Sequence, residues 1–220
     1  MKSTLPNNLV RCMDLKTISF LLVTFGLIGP FTIPASAQAG AFDDSFQGGV
    51  GSDEDVDHIL VLPDDRLLIG GPFTTYNGVN RNGLVRTDEN GVLDNGFSIG
   101  SGLLRDDEYL PDVFTIKRSG LGGYYIGGRF DTYNGVPRNG IVRIHNDGLL
   151  DPAFDPGTGV LGNNVDDIAV QMGNSILVGG SFGTYNGQTA HGLCRVLPDG
   201  SLDTTFVSLF HSSAVVDGIH

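Results

Sequence analysis

Tryptophan is absent from this chain, and cysteine occurs only as Cys12 and Cys194. Cys12 precedes an apolar run at residues 18–28, so Cys194 stands alone in the body of the chain. A disulfide-stapled scaffold is thereby excluded. Basic residues are scarce: 13 Lys and Arg face 25 Asp and Glu, for a formal net charge of −12. That balance excludes a protein that grips nucleic acid or an anionic membrane by charge. Helical periodicity is missing after residue 37, and 33 glycines in 220 residues oppose helices in any case. Enzymatic signatures are missing too. His58, His145, His191, His211 and His220 form no spaced metal set, and there is no nucleophile elbow, phosphate loop or dinucleotide fingerprint. Carboxylates are so numerous that no glycosidase pair can be singled out. Enzymatic activity therefore has no positive support, although turnover abolished by one carboxylate substitution would reveal it.

What the chain has is a motif written three times. It reads Gly-Gly-x-Phe, then Thr-Tyr-Asn-Gly, then an Arg-containing apolar segment, then Gly-x-Leu-Asp-x-x-Phe, with copies starting at Gly70, Gly127 and Gly179. Tyr76, Tyr133 and Tyr185 are separated by 57 and 52 residues. Arg86, Arg143 and Arg195 keep the same two separations, as do Asp94, Asp151 and Asp203 and the closing Phe97, Phe154 and Phe206. From Tyr to closing Phe is 21 residues in every copy, so length varies only in the other half of the unit. The extra residues of the middle copy fall at 103–111, a charged stretch that a loop at one rim of a repeat fold accommodates at little cost.

Two partial copies flank the three full ones. Phe42-Asp43-Asp44-Ser45-Phe46 matches the tail of a unit, and Val216-Asp217-Gly218-Ile219 matches Val56-Asp57-His58-Ile59 and Val165-Asp166-Asp167-Ile168 at the head of one. The units thus end near residues 46, 97, 154 and 206, with a partial last unit at 207–220. Either the chain is a piece of a longer array, or its last strand completes a sheet begun by another segment.

Each unit carries three strand signals, short and rich in Ile, Val, Leu, Phe and Tyr. The first covers 56–62, 113–117 and 165–171; the second 66–73, 123–130 and 175–182; the third 83–87, 140–145 and 192–197. Residues 63–65, 118–120 and 172–174 read as hairpin turns between first and second strands. Asn77-Gly78, Asn134-Gly135 and Asn186-Gly187 supply residues that tolerate positive φ. The doubled glycines at the end of strand two suit a close approach of backbone. The fold class is all-β: β-propeller-like repeats of about 51–57 residues, three full units plus partial units at both ends. A β-solenoid is the runner-up, although its coils are usually shorter, and a β-sandwich leaves the repeats unexplained.

The unit resembles the delta-60 repeat, a β-propeller-like repeat of bacterial secreted and cell-surface proteins whose function is largely uncharacterised. The resemblance rests on Gly70-Gly71-Pro72-Phe73 through Phe97, on Gly127 through Phe154, and most closely on Gly179-Gly180-Ser181-Phe182 through Phe206. It implies a propeller-like fold and a place outside the cell. It supplies no catalytic residues.

The N-terminus reads as a secretory signal at residues 1–37. Lys2, Arg11 and Lys16 precede the apolar run, and Ala35-Ser36-Ala37 and Ala37-Gln38-Ala39 fit cleavage after Ala37 or Ala39. Met13 is an alternative start. The run is too short for a stable membrane span. The repeat domain is then 38–220. Lys2, Arg11 and Lys16 against Asp14 give the leader +2, leaving about −14 for the rest. The destination is secreted, periplasmic or cell-surface.

Candidate sites follow from recurrence. Tyr76, Tyr133 and Tyr185 could stack on sugars, but their place beside Asn-Gly favours turn packing. Asp53, Asp55 and Asp57 gather oxygen ligands in one loop as calcium requires, although the spacing matches no known calcium loop. No cofactor is expected, and calcium is the one cation that would suit. Asp94, Asp151 and Asp203 are expected to accept their own turn N–H groups and to pair with Arg86, Arg143 and Arg195. Phe97, Phe154 and Phe206 are expected to anchor blade packing, and Cys194 to fill the buried place of Val85 and Val142. The expected role is an exported, non-catalytic structural or protein-interaction module. The alternative is a carbohydrate-binding or calcium-dependent binding module, with a hydrolase behind both. The partner is a protein or glycan at the cell surface, or a second copy closing the propeller.

Overall fold

Short apolar segments punctuated by Gly, Asn and Asp become a row of small antiparallel sheets. The computed structural model describes residues 49–160 and 164–208, together with 43, 45, 46, 216, 218 and 219. The expected signal segment lies outside these residues, as does most of the tail after Ser208. All strands lie within residues 44–220, and no helix occurs among the described residues.

The first blade holds β1 (His58–Val61), β2 (Leu67–Gly70), β3 (Thr75–Tyr76), β4 (Val79–Asn80) and β5 (Leu84–Thr87). The second holds β6 (Leu103–Leu104), β7 (Asp112–Arg118), β8 (Tyr124–Arg129), β9 (Thr132–Tyr133), β10 (Val136–Pro137) and β11 (Ile141–Ile144). The third holds β12 (Val165–Val170), β13 (Ile176–Gly180), β14 (Thr184–Tyr185), β15 (Gln188–Thr189) and β16 (Leu193–Val196). Each main sheet is three-stranded, in the orders β1-β2-β5, β7-β8-β11 and β12-β13-β16. A single bridge extends each: Thr87 to Leu93, Ile144 to Leu150 and Val196 to Leu202. These stubs stand where a propeller blade carries its fourth strand.

Between second and third strand every blade inserts a two-residue hairpin around Asn-Gly. Asn77, Asn134 and Asn186 have φ of 51°, 48° and 46°, and the following glycines are also positive. That pair of conformations is the primed turn that two-residue hairpins require. The extra length of the second blade begins later than expected. Leu103 and Leu104 form β6 and pair with Tyr133 and Thr132, so only the residues after 104 are added. Leu103 is fully buried because its pairing with Tyr133 sets it in the apolar cluster between blades one and two, a burial worth about 2 kcal/mol.

Successive blades pack face to face. β7 lies on β1 and β2, and β12 lies on β7 and β8. One apolar cluster joins blades one and two, including Leu68, Leu84, Val113, Ile116 and Ile126. A second joins blades two and three, including Tyr125, Ile141, Val165, Ile168 and Val178. The first glycine of each Gly-Gly makes this contact possible. A Cβ at Gly127 would stand 2.7 Å from both Thr115 Cγ2 and Val165 Cγ1, and one at Gly70 would overlap Val113. The second glycine serves the blade itself: a Cβ at Gly71, Gly128 or Gly180 would strike the backbone carbonyl of Asp55, Asp112 or Asn164. The three sheets are not joined to one another by strand pairing, and the array is open.

Candidate functional site

The recurring Arg, Asp and Phe form one repeated unit of packing. Arg86, Arg143 and Arg195 donate through Nε to Oδ2 of Asp94, Asp151 and Asp203 at 2.8, 2.7 and 2.7 Å. The other oxygen of each Asp accepts the N–H two residues on, from Gly96, Ala153 or Thr205, at 2.8–2.9 Å. Each guanidinium also lies over the closing ring: 4.7 Å from the Phe97 centroid, 5.2 Å from Phe154 and 5.3 Å from Phe206. Burial pushes the Asp94 and Asp151 carboxyls up, but the turn N–H groups and the arginines outweigh it and hold both below the usual range. Asp203 is held low by the Thr205 hydroxyl and N–H, with Arg195 adding to them. Both expected pairings, Arg with Asp and Asp with its own turn, are present in all three blades.

Arg86 and Arg143 do more. Their Nη1 groups cross to the next blade and donate to the carbonyls of Asn146 and Pro198, the latter at 2.6 Å. Arg195 makes no such reach among the described residues; its Nη2 turns to Thr205 Oγ1 at 3.3 Å. Its side chain is 31 % exposed, against 6 % and 3 % for Arg86 and Arg143.

Tyr76, Tyr133 and Tyr185 do not offer a sugar-stacking face. All three are buried. Their hydroxyls donate to the carbonyls of Gly91, Gly148 and Gly200, at 3.0 Å for Tyr76 and 2.8 Å for Tyr185. Each ring fastens the Asn-Gly hairpin to the turn after the third strand, in keeping with the turn-packing role. The Cys194 thiol is buried and free, and burial pushes its pKa up to about 12.

The acidic run separates rather than converges. Asp53 accepts from Thr74 Oγ1 at 2.5 Å and from the N–H groups of Thr74 and Thr75 at 2.9 and 2.8 Å. The Thr74 hydroxyl and the Thr75 N–H bring its pKa down to about 2. Asp55 is exposed, and Asp57 turns to Asp112. Among the described residues, no three His, Cys, Asp or Glu side chains are placed to hold one metal ion.

A row of polar side chains that the repeat pattern hides runs along the first strands. His58, Thr115 and Asp167 occupy one position in β1, β7 and β12, and each reaches into the following unit. The His58 ring lies beside the Ile116 backbone of the second blade. Thr115 Oγ1 donates to Asp167 Oδ1 at 3.0 Å, and Asp167 Oδ2 accepts the Ile219 N–H at 2.8 Å. Lys117 Nζ lies 3.0 Å from Asp167 Oδ1. Burial and the Lys117 charge lower the His58 pKa. Beside this row Asp112 is 9 % exposed. Burial, a hydrogen bond to Asp57 and the Asp57 charge raise its carboxyl to about 7. Residue identity varies along this row, so recurrence could not reveal it.

Recurrence could have found another element. Gly49-x-Gly51, Gly100-x-Gly102 and Gly157-x-Gly159 precede the three blades. Asn77, Asn134 and Asn186 donate their backbone N–H to the carbonyls of Gly51, Gly102 and Gly159, each at 2.8 Å. The added loop of blade two projects Tyr109, 66 % exposed, and holds itself through an Arg105–Asp107 pair.

Among the described residues an apolar surface is left uncovered on the first blade. Val56 and Ile59 are 41 % and 54 % exposed, whereas their counterparts Val113, Ile116, Val165 and Ile168 are fully buried. Ile69, Phe73, Tyr76 and Val85 form a small cluster of their own behind them. Phe46, Val50, Val56, Ile59, Ile69 and Tyr76 border a concavity of about 460 Å³. This is the face that, in blades two and three, is covered by the preceding blade.

Three segments, residues 62–97, 122–154 and 174–206, match the family model described as "Domain of unknown function (DUF5122) beta-propeller". They coincide with the three repeats from second strand to closing Phe. No curated protein and no solved structure matches the chain. The chain carries three copies of an uncharacterised β-propeller-like repeat.

Proposed function

We propose that this chain is an exported, non-catalytic protein-interaction module of the delta-60 type, working outside the cytoplasm in a secreted, periplasmic or surface-bound form. The observation that carries the reading is how the recurring side chains are used. Every recurrent Tyr, Arg and Asp is engaged in holding a blade together. Among the described residues a large apolar surface stays open at the Val56–Ile59 face of the first blade. Exposed apolar patches of this kind mark contact with other macromolecules. The N-terminal charge and apolar pattern supports export.

A photo-crosslinking residue at Ile59, introduced into the producing cells, tests this reading. Protein adducts at position 59, absent from a control at exposed Met172, are expected. Adducts to no protein at all would remove the interaction reading. The same cells are compared with calcium and with chelator, since adducts that need calcium would shift the reading to a cation-dependent binding module.

A further inference from the structure

We infer that the open face of the first blade takes the third blade of a second copy of this chain, and that residues Val216 and Ile219 of the tail hold that third-blade surface until the second copy arrives. The inference rests on the interaction reading above and names the partner. Its ground is that the blade-to-blade contact is made three times within the chain with the same parts. Gly70 receives Val113 and Ile116; Gly127 receives Val165 and Ile168; Gly179 receives Val216 and Ile219. The third contact is made by Val216 and Ile219, which belong to none of the strands among the described residues. A Cβ at Gly179 would stand 2.8 Å from Val216 Cγ1 and 3.1 Å from Ile219 Cδ1. The Ile219 N–H is bound by Asp167.

The tail and the open face are versions of one sequence. Val216-Asp217-Gly218-Ile219 and Val56-Asp57-His58-Ile59 share Val, Asp and Ile at the same places. A surface that accepts the first therefore has the shape for the second. The second also brings a whole sheet, with Ile69, Phe73, Tyr76 and Val85 behind it. Val216 and Ile219 alone cover less apolar area than that sheet does, and hydrophobic stabilisation follows area.

The receiving side is correspondingly unfinished. Leu177 and Leu193 on the third blade are only half-buried, while Tyr125 and Ile141 at the same places in blade two are sealed by blade three. Among the described residues Arg195 finds no cross-blade carbonyl such as Arg86 and Arg143 find at Asn146 and Pro198. By the same offset, Glu89 of a docked first blade would present its carbonyl to Arg195. Asp167 would accept from the Ile59 N–H in place of Ile219. A contact between different faces of two identical chains runs head to tail. Two copies joined at both ends would place six blades in a ring, within the range of about four to eight that propellers use.

Sedimentation velocity on the full chain tests the inference. The variant Val216→Asp with Ile219→Asp frees the tail without shortening it. It is expected to double in mass at concentrations where the unaltered chain is monomeric. Adding either Ile59→Asp or Gly179→Val is expected to return it to monomer. A synthetic peptide of residues 213–220 should also dissolve the dimer. A tail-freed chain that keeps its far-UV circular dichroism and stays monomeric overturns the inference, as does an assembly that Ile59→Asp leaves unchanged. If the freed-tail variant does not fold, the unaltered chain carrying a photo-crosslinker at Ile59 gives the answer. Intermolecular links to the strand around Gly179 support the inference, and their absence at high concentration rejects it. Adducts in cells to a different protein, with none between copies, would reject the second copy while leaving the interaction reading intact.

Discussion

Arg143 and Asp151 form the most enclosed ion pair among the described residues, with Nε donating to Oδ2 at 2.7 Å and side chains 3 % and 10 % exposed. The guanidinium is fixed on three sides: by Asp151, by the Pro198 carbonyl of the next blade and by the Phe154 ring. Removing one partner leaves a buried charge unmatched, which costs about 3–5 kcal/mol. Arg143→Met is therefore expected to lower unfolding stability by about that amount. Arg195→Met, at the half-exposed counterpart, is expected to cost about 1 kcal/mol. Urea denaturation of the two variants checks the contrast. Equal losses would mean that the cross-blade carbonyl contributes nothing.

Gly127 and Gly183 make a second contrast. A Cβ at Gly127 runs into Thr115, Val165 and Ile168, all on packed strands, whereas a Cβ at Gly183 meets nothing within 4 Å. Gly127→Ala is expected to cost about 1–3 kcal/mol through overpacking of the blade interface. Gly183→Ala is expected to be neutral or slightly stabilising, because alanine narrows the unfolded ensemble. Val165→Ala should recover part of the Gly127→Ala loss, since it opens the same contact. Thermal melts of the single and double variants supply the cycle. Strict additivity would place the strain elsewhere.

Cys194 occupies the place of Val85 and Val142, all three buried on their third strands. Cys194→Val should change stability by less than about 1.5 kcal/mol, because the small gain in volume is one that the same place in blades one and two already accommodates. With its pKa raised to about 12 by burial, the native thiol should react with a disulfide reagent only as fast as the chain opens. Rapid labelling in the native state would show that the third blade is loosely packed.

How far these features could be read in advance depended on whether they recur. The Arg–Asp pairs and the Gly-Gly contacts recur at fixed spacing, and each has one plausible physical use. The strands of the three main sheets were legible to within two or three residues because Gly, Asn and Asp mark their ends, whereas the two-residue strands around each Asn-Gly and at Leu103–Leu104 were not. The role of Tyr76, Tyr133 and Tyr185 was legible only in part: an aromatic beside Asn-Gly can face inward or outward, and only tertiary packing decides. Leu103 looked like part of an insertion because its partner, Tyr133, is thirty residues away. The row of His58, Thr115 and Asp167 escaped notice because three unlike side chains answer the same local demand for a contact with the next unit.

The pH dependence of stability has two opposed carboxylate parts, and His58, whose folded pKa burial lowers, adds stability as pH rises through the histidine range. Asp53, Asp94, Asp151, Asp167 and Asp203 all have folded pKa values below 3.8, Asp53 at about 2. Depressed carboxyls contribute stability that is present above the unfolded value and is lost as pH falls through the folded one. This limb should fail below about pH 4, the unfolded carboxylate range. Asp112 runs the other way. Its folded carboxyl keeps a proton to about pH 7, whereas the unfolded one releases it near 3.8. Between those values the folded state binds more protons, so stability falls as pH rises across that window. Together the two limbs place the stability maximum on the mildly acidic side of neutrality. Asp112→Asn keeps a neutral side chain against Asp57 and should abolish the decline between about pH 4 and 7 while leaving the acid limb unchanged. Melting temperatures measured from pH 3 to pH 9 on both chains decide the matter. A decline that survives in Asp112→Asn, or a parent curve that matches the variant's across the window, would show that the Asp57–Asp112 contact does not hold a proton.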